Sequence, residues 1–403
     1  MPYDVVVLGA GPAGLGAALA LARDGARVAL VEAADHVGGL CTTLVRGEVA
    51  YDLGGHILFV HDSARRAWLE ELLGGDLLWV PRPVACLRDG TITPGRYLDQ
   101  RPPGGGAGDG RTGPSARDAL AGRFGDAFVD AAMRRYLEKV DGMRLERIVA
   151  QRATKLLIDQ YAPEGFWYPA GGIGQLMEAM AREIRAHGGE VLLGARVRSI
   201  TLAAGAVSGV EADTADGPVT LRSPQVVAGL PPALVAGLVS PPAPDGVVAP
   251  LPPRAAAIVY LEVAADRLSD HAWLQVDDPG APFARLFEAK NWSERLVPEG
   301  RTVLGCECYC SPREDDPAWG LDHDALGAAC AAALGDVLGL VDDPGAAVTR
   351  EVVRIPRAWS LVDVEAVGAA GAPGRWLDGI DGLTVAQGGD VVLAIAAGEH
   401  AVA

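Results

Sequence analysis

The stretch from Asp4 to His56, DVVVLGAGPAGLGAALALARDGARVALVEAADHVGGLCTTLVRGEVAYDLGGH, constrains this chain more than any other. Val5 to Leu8 is an unbroken apolar run, the pattern of a parallel strand buried on both faces. Gly9, Gly11 and Gly14 follow as G-x-G-x-x-G, with Pro12 and Ala13 between the last two. A helix is expected to open at once, with Leu15, Ala18, Leu19 and Ala22 on one face. A second strand, Arg27 to Val31, ends at Glu32. The glycines provide a tight turn, a close backbone approach to a pyrophosphate, and close helix–strand packing. The helix N-terminus offers free N–H groups and a positive dipole end to phosphate. Glu32 stands where a carboxylate can accept hydrogen bonds from ribose hydroxyls. A lone G-x-G-x-x-G would be weak evidence. Here strand, helix and acid all stand in their places, so the unit reads as nucleotide-binding rather than as a glycine-rich turn.

The continuation selects the nucleotide. After Glu32 and Ala33 come Asp35-His36-Val37-Gly38-Gly39, then Thr42-Thr43, then Tyr51-Asp52-Leu53-Gly54-Gly55-His56. A second Gly-Gly pair suits a bulky ligand that needs backbone close to it without Cβ clashes. This series resembles the FAD-binding fingerprint of the flavoenzyme group that holds amine oxidases, protoporphyrinogen oxidases, carotenoid desaturases and UDP-galactopyranose mutases. The resemblance implies FAD as cofactor, on Gly9, Gly11, Pro12, Ala13, Gly14, Glu32, Ala33, Gly38, Gly39, Thr43, Gly54, Gly55 and His56. It further implies that the backbone of Val197 meets the adenine, and that Gly389 and Asp390, at the start of a C-terminal helix, lie near the ribityl chain and pyrophosphate. No His or Cys sits in a recognisable flavinylation motif, so non-covalent binding is expected.

Composition excludes several classes. The chain has 403 residues, enough for two domains and a large core. Its 35 basic and 52 acidic residues give a net charge of −17, opposite to the usual lean of a nucleic-acid or anionic-membrane binder. No charge-free apolar stretch of about 18 residues appears, and the N-terminus runs straight into the first strand without a basic leader. A soluble cytoplasmic protein is expected, and the Gly, Ala and Pro abundance suggests a GC-rich bacterial source. The six cysteines form no C-x-x-C pair. Cys306, Cys308 and Cys310 alternate in TVLGCECYC and so share one strand face. Packing as small buried hydrophobes explains them better than a metal site, and no metal is expected.

The fold class expected is α/β: a discontinuous, Rossmann-like FAD domain of the glutathione reductase type, with a substrate domain of mixed sheet and helices. The FAD domain is assigned to residues 1–75, 160–245 and 345–403, the substrate domain to 76–159 and 246–344. Arg65 to Leu73 is helical in pattern, and Val84 to Ile92 a hairpin. Residues 101–117 read as a flexible insertion or a lid, and Asp118 to Leu157 as mostly helical. Tyr168 to Gly172 launches a helix carrying Ile173, Leu176, Met177, Met180 and Ile184, ended by Gly188-Gly189. Glu190 to Ile200 reads as one strand, followed by short alternating strands.

The flavin would perform the redox step while the protein binds and orients. His56 is the candidate catalytic residue, because YDLGGHILFVHD resembles the loop at the flavin in eukaryote-type UDP-galactopyranose mutases, and a histidine can shuttle protons. A purely structural role for this loop stands equally open. In the same relatives, arginines matching Arg134 and Arg285 line the sugar-nucleotide site, where a guanidinium fork suits a diphosphate or carboxylate. The alternative for either is an ordinary ion pair. The mutases' C-terminal tyrosines are missing. The corresponding stretch RIPRAWSLVD offers Trp359 instead. Lys290 reads as a solvated lysine at a strand end. The favoured function is an FAD-dependent oxidoreductase taking a hydride from a C–N or C–C bond of a small, anionic or sugar-like metabolite. A non-redox sugar-nucleotide mutase is second, and a binding protein resembling the Rab GDP-dissociation inhibitors third. A small molecule is the expected partner, with neither nucleic acid nor membrane.

Overall fold

The computed structural model describes residues 2–60, 62–81, 84–88, 90–100, 108–110, 112–152, 165–248, 251–386, 388 and 391–402. Gly389, Asp390 and part of the 101–117 loop lie outside them. At the centre is a five-stranded parallel sheet in the order Leu383–Val385, Val226–Ala228, Val5–Leu8, Val28–Val31, Glu190–Leu192. One sheet therefore joins the first, middle and last parts of the chain. Strand alternation sorts the core. Val5 and Val7 pack under the helices Pro12–Arg23, Ile173–Ala186 and Val391–His400. Val6 and Leu8 face a four-stranded sheet that contains Arg196–Ala203, Ala206–Thr214 and Gly217–Arg222. All four residues of Val5–Leu8 are buried, as its unbroken apolar run requires.

The stretch from Glu190 to Ile200 is two strands, not one. Glu190–Leu192 ends the parallel sheet and Arg196–Ala203 enters the four-stranded one. Gly194, at φ +63°, turns the chain between them. The Gly194 and Ala195 N–H groups donate to the Ala34 and Glu32 carbonyls, which pins this corner to the end of the Val28–Val31 strand.

A second, seven-stranded mixed sheet runs in the order Ala347–Ser360, Pro253–Val263, Thr302–Cys310, Arg285–Glu288, Trp273–Val276, Val84–Arg88, Thr91–Pro94. Its back face buries Ala255, Ala257, Val259, Cys306, Cys308 and Cys310 against the helix His323–Asp336, which adds Cys330. All six cysteines are buried and free. The hairpin Val84–Arg88/Thr91–Pro94 forms as the pattern indicates. A helical subdomain covers one end of the sheet. Its first helix, Ala116–Phe124, is capped by Ser115, so the last two residues of the presumed loop are already helical. None of the described helices is long and apolar enough to cross a membrane.

Between the two sheets, the hairpin Thr43–Arg46/Val49–Asp52 meets the N-terminus of Ile173–Ala186. Asp52, 1% exposed, accepts from the Thr43 and Tyr168 hydroxyls and from the Ile173 N–H. Burial pushes its carboxyl up to about 7, against the lowering pull of those three donors. Asp52→Ala should cost about 3 kcal/mol in chemical denaturation, because it strands three buried donors. The native carboxyl holds its proton above the unfolded value of 3.8, so its contribution is full below that value and is lost as pH rises to about 7. The gap between wild type and variant should therefore be widest near pH 4 and narrow toward 7.

Candidate active site

The nucleotide end of the site is shaped by backbone. Gly11 caps the Pro12–Arg23 helix without any side-chain hydrogen bond, leaving the first turn open to a ligand. A Cβ on Gly11 would meet nothing within 4 Å, whereas one on Gly39 would lie 3.5 Å from the Gly11 Cα. The Gly38-Gly39 turn is thus laid beside the helix start, and the Gly38 N–H donates to the Ala10 carbonyl. A Cβ on Gly14 would lie 1.8 Å from the Gly9 carbonyl oxygen, so only glycine lets this helix sit on its strand. Glu32, at the strand's end, is held by the Ala10 and Ala34 N–H groups, both at 2.8 Å. Exposed Ala33 follows it, and Val197 stands two residues beyond the Ala195 corner. An open helix start, a bare glycine floor and a fixed carboxylate fit the phosphates and ribose of a dinucleotide.

Glu32→Ala should weaken nucleotide retention by roughly 10- to 150-fold in Kd, the loss of a charge-assisted hydrogen bond worth about 1.5–3 kcal/mol. Isothermal titration of the apoprotein checks this. An unchanged Kd would show that the ribose lies elsewhere.

The reactive end lies between the Leu53–His56 turn and the front face of the seven-stranded sheet. The cavity there is open to solvent, has a volume of about 140 Å³ and is lined by Leu40, Leu53, Gly54, Gly55, His56, Ala256, Ile258, Arg285, Glu307, Tyr309, Ile355, Ala358 and Trp359. Cross-strand register assembles the floor. Ile258 pairs with Glu307 and Glu307 with Arg285, while Ile355, Ala256 and Tyr309 align in the neighbouring row. The roof is tied down. The Tyr260 hydroxyl donates to the Asp52 carbonyl at 2.6 Å, and the Gly55 N–H donates to Glu307 Oε1 at 2.7 Å.

Glu307 is the hub. It is buried, its Oε2 accepts from Arg285 Nε at 2.6 Å, and the Tyr309 hydroxyl donates to the same oxygen. Burial alone would raise the Glu307 carboxyl, but Arg285 and these donors hold it below the usual carboxylate range. Burial pulls in the opposite sense on Arg285 and is outweighed by Glu307, which keeps the guanidinium charged. His56 is different. Burial pushes its imidazole down to about 4, and among the described residues its buried Nδ1 has no hydrogen-bond partner. Tyr309 also packs edge-on against Trp359, with ring centroids 5.2 Å apart, and the buried Trp359 Nε1 has no partner among the described residues.

The structure brings Gly54, Gly55, His56, Arg285 and Trp359 into one cavity and gathers Gly9 to Gly14, Glu32, Gly38 and Gly39 at the other end. The Thr43 hydroxyl is engaged within the protein, donating to Asp52 and accepting from the Gly174 N–H. Arg134 is not in the cavity. It pairs with Asp130, Glu138 and Glu146 at 2.9, 2.7 and 2.7 Å. Two positions on, the buried Tyr136 is the residue of that helix whose environment includes Arg285 and Glu307. Lys290 is not solvated. It is 5% exposed, and its Nζ donates to the Pro298 and Arg301 carbonyls and to Asp266. Glu307 and Tyr309 are absent from the sequence reading, although alternation contains them. If Cys306, Cys308 and Cys310 face the packed side, Glu307 and Tyr309 face the other.

Comparison with known proteins follows the same division. An NAD(P)-binding Rossmann-like domain matches residues 7–72. The chain is 64% identical over 42 residues to a soluble pyridine nucleotide transhydrogenase of Marinomonas sp. (strain MWYL1). That match covers 10% of this chain and 9% of the relative's length, so it speaks only for the dinucleotide unit. Among solved structures, a reduced UDP-galactopyranose mutase aligns with a TM-score of 0.78 at 16% identity, covering 100% of this chain and 93% of that one. A putrescine oxidase bound to putrescine aligns with a TM-score of 0.70 at 19% identity, covering 100% and 98%. Both share the fold. The flavin-containing amine oxidoreductase family matches residues 110–361, more than half the chain and including every element of the cavity floor. Together with the dinucleotide unit ahead of it, this match establishes that the chain belongs to the flavin-containing amine oxidoreductase family and is a flavin-dependent enzyme.

Proposed function

We propose that the protein is an FAD-dependent oxidoreductase that takes a hydride from a C–N or C–C bond of a small metabolite whose anionic or strongly accepting group is held by Arg285. One observation carries the reading. Among the described residues one cationic fork, paired with Glu307, stands in a cavity whose other walls are mostly apolar, roofed by the Gly54-Gly55-His56 turn. The helix start at Gly11, the Gly38-Gly39 turn and Glu32 would hold the FAD, which supplies hydride acceptance when bound. The chain's own residues do the rest. Arg285 orients the substrate. Leu40, Leu53, Ile258 and Ile355 keep water from the reacting bond. Glu307 fixes both Arg285 and the Gly55 backbone. His56, neutral at physiological pH, can take a proton at Nδ1.

Denaturing the purified protein should release a yellow, adenine-containing flavin, and anaerobic addition of the substrate should bleach it in the native protein. A colourless protein that cannot be reconstituted would end this reading. Turnover of a sugar nucleotide only after dithionite reduction, with no bleaching by any oxidisable candidate, would put mutase chemistry first. The missing tyrosines and the single cation weigh against that order.

A further inference from the structure

We propose that the group this cavity selects is a single carboxylate on an apolar, ring-sized body, and that Glu307 sets the choice. The inference rests on the flavoenzyme reading above and narrows its substrate class. Arg285 commits only its Nε to Glu307. Among the described residues its two terminal nitrogens have no hydrogen-bond partner, and the side chain keeps 31% exposure against 2% for Glu307. Both Glu307 oxygens are taken, Oε1 by the Gly55 N–H and Oε2 by Arg285 and Tyr309. A ligand therefore meets the free edge of the guanidinium, with a saturated carboxylate behind it. Two coplanar N–H donors match the two oxygens of a carboxylate.

The charge balance narrows the class further. Among the described residues Arg285 is the only Lys or Arg lining the cavity, and Glu307 already cancels its charge. His56 is neutral at physiological pH. One further negative charge at the fork leaves a net of −1. A diphosphate would leave more, uncompensated, against walls built from Leu40, Leu53, Ile258, Ile355 and Trp359. A cationic amine would meet the guanidinium first. The same walls suit an apolar body, and the Trp359 ring offers it an aromatic edge or face.

The test uses the flavin-loaded protein, isothermal titration and the flavin difference spectrum, with four probes: phenylacetate, its neutral isostere phenylacetamide, phenethylamine and inorganic pyrophosphate. Phenylacetate is expected to bind saturably, with the other three at least tenfold weaker. In Glu307→Gln the uncancelled arginine should shift the pyrophosphate-to-phenylacetate affinity ratio toward pyrophosphate by at least tenfold. The double variant Arg285→Met/Glu307→Gln removes both charges together. It should keep its flavin but lose the preference for phenylacetate over the amide. Phenethylamine or pyrophosphate binding as tightly as phenylacetate, or an unmoved ratio in Glu307→Gln, would overturn the proposal. So would binding of none of the probes by a protein whose flavin some other substrate bleaches, and in that case the oxidoreductase reading survives. A protein without flavin would instead remove that reading itself.

Discussion

Gly14→Ala is expected to leave a protein that has lost its flavin, with Kd raised at least a hundredfold and thermal stability lowered. The added carbon would lie 1.8 Å from the Gly9 carbonyl oxygen. That neighbour is backbone of the central strand's own turn, so no side chain can swing away. The Pro12–Arg23 helix must lift, and its first turn with it. Overpacking of this kind costs typically about 1–3 kcal/mol, occasionally more, and here the displaced atoms are those offered to the pyrophosphate. Gly11→Ala is the control. Its β-carbon meets nothing within 4 Å, and its φ of −76° suits any residue. It should fold with wild-type stability while still weakening flavin binding, because the space it fills is the ligand's. Flavin content and melting temperature of the two variants check this. Normal flavin content in Gly14→Ala would mean that the helix start is not the phosphate site.

The contrast between these glycines shows why so much of the nucleotide end could be read directly. Gly9, Gly11, Gly14 and Glu32 lie within one βαβ unit, so their spacing in sequence is nearly their arrangement in space. The cavity is different, because its residues come together only through sheet register. Arg285 meets Glu307 across two antiparallel strands, and Glu307 reaches the Gly55 N–H from 252 positions away. Alternation in TVLGCECYC indicates which way Glu307 faces but not what it faces. Arg134 shows the opposite failure. Its place in the chain matches, yet the carboxylates of Asp130 and Glu138, four residues before and after it on the same helical surface, together with Glu146, hold it outside the cavity. Lys290 reads as solvated because nothing in its neighbourhood of sequence names the Pro298 and Arg301 carbonyls that accept from it. The split of Glu190 to Ile200 turns on Gly194, a single residue whose positive φ the apolar pattern around it does not reveal.

Arg285→Met should destabilise the protein by about 3–5 kcal/mol, more than loss of an exposed ion pair, because it leaves Glu307 buried without its counter-charge. The Gly55 N–H and Tyr309 hydroxyl would still donate to the carboxylate, but neither carries a charge. The pH dependence distinguishes this mechanism from a simple packing loss. In the wild type the Glu307 carboxyl is held below its ordinary value of 4.5. Its contribution to stability is therefore present above that value and is lost as pH falls through the lower native one. In the variant only burial and the neutral donors remain, and burial raises the carboxyl. The native state then prefers the protonated acid, and stability declines as pH rises past 4.5. The two effects add, so the gap between wild type and Arg285→Met should widen above pH 4.5 and shrink below it. Adding Glu307→Gln should restore most of the lost stability at neutral pH, because an amide can still accept from Gly55 without a stranded charge. Chemical denaturation at pH 4, 5.5 and 7, with flavin saturating in every sample, makes the comparison at constant ligand linkage. A gap independent of pH, or a double variant no more stable than the single one, would show that Arg285 supports this cavity by packing alone.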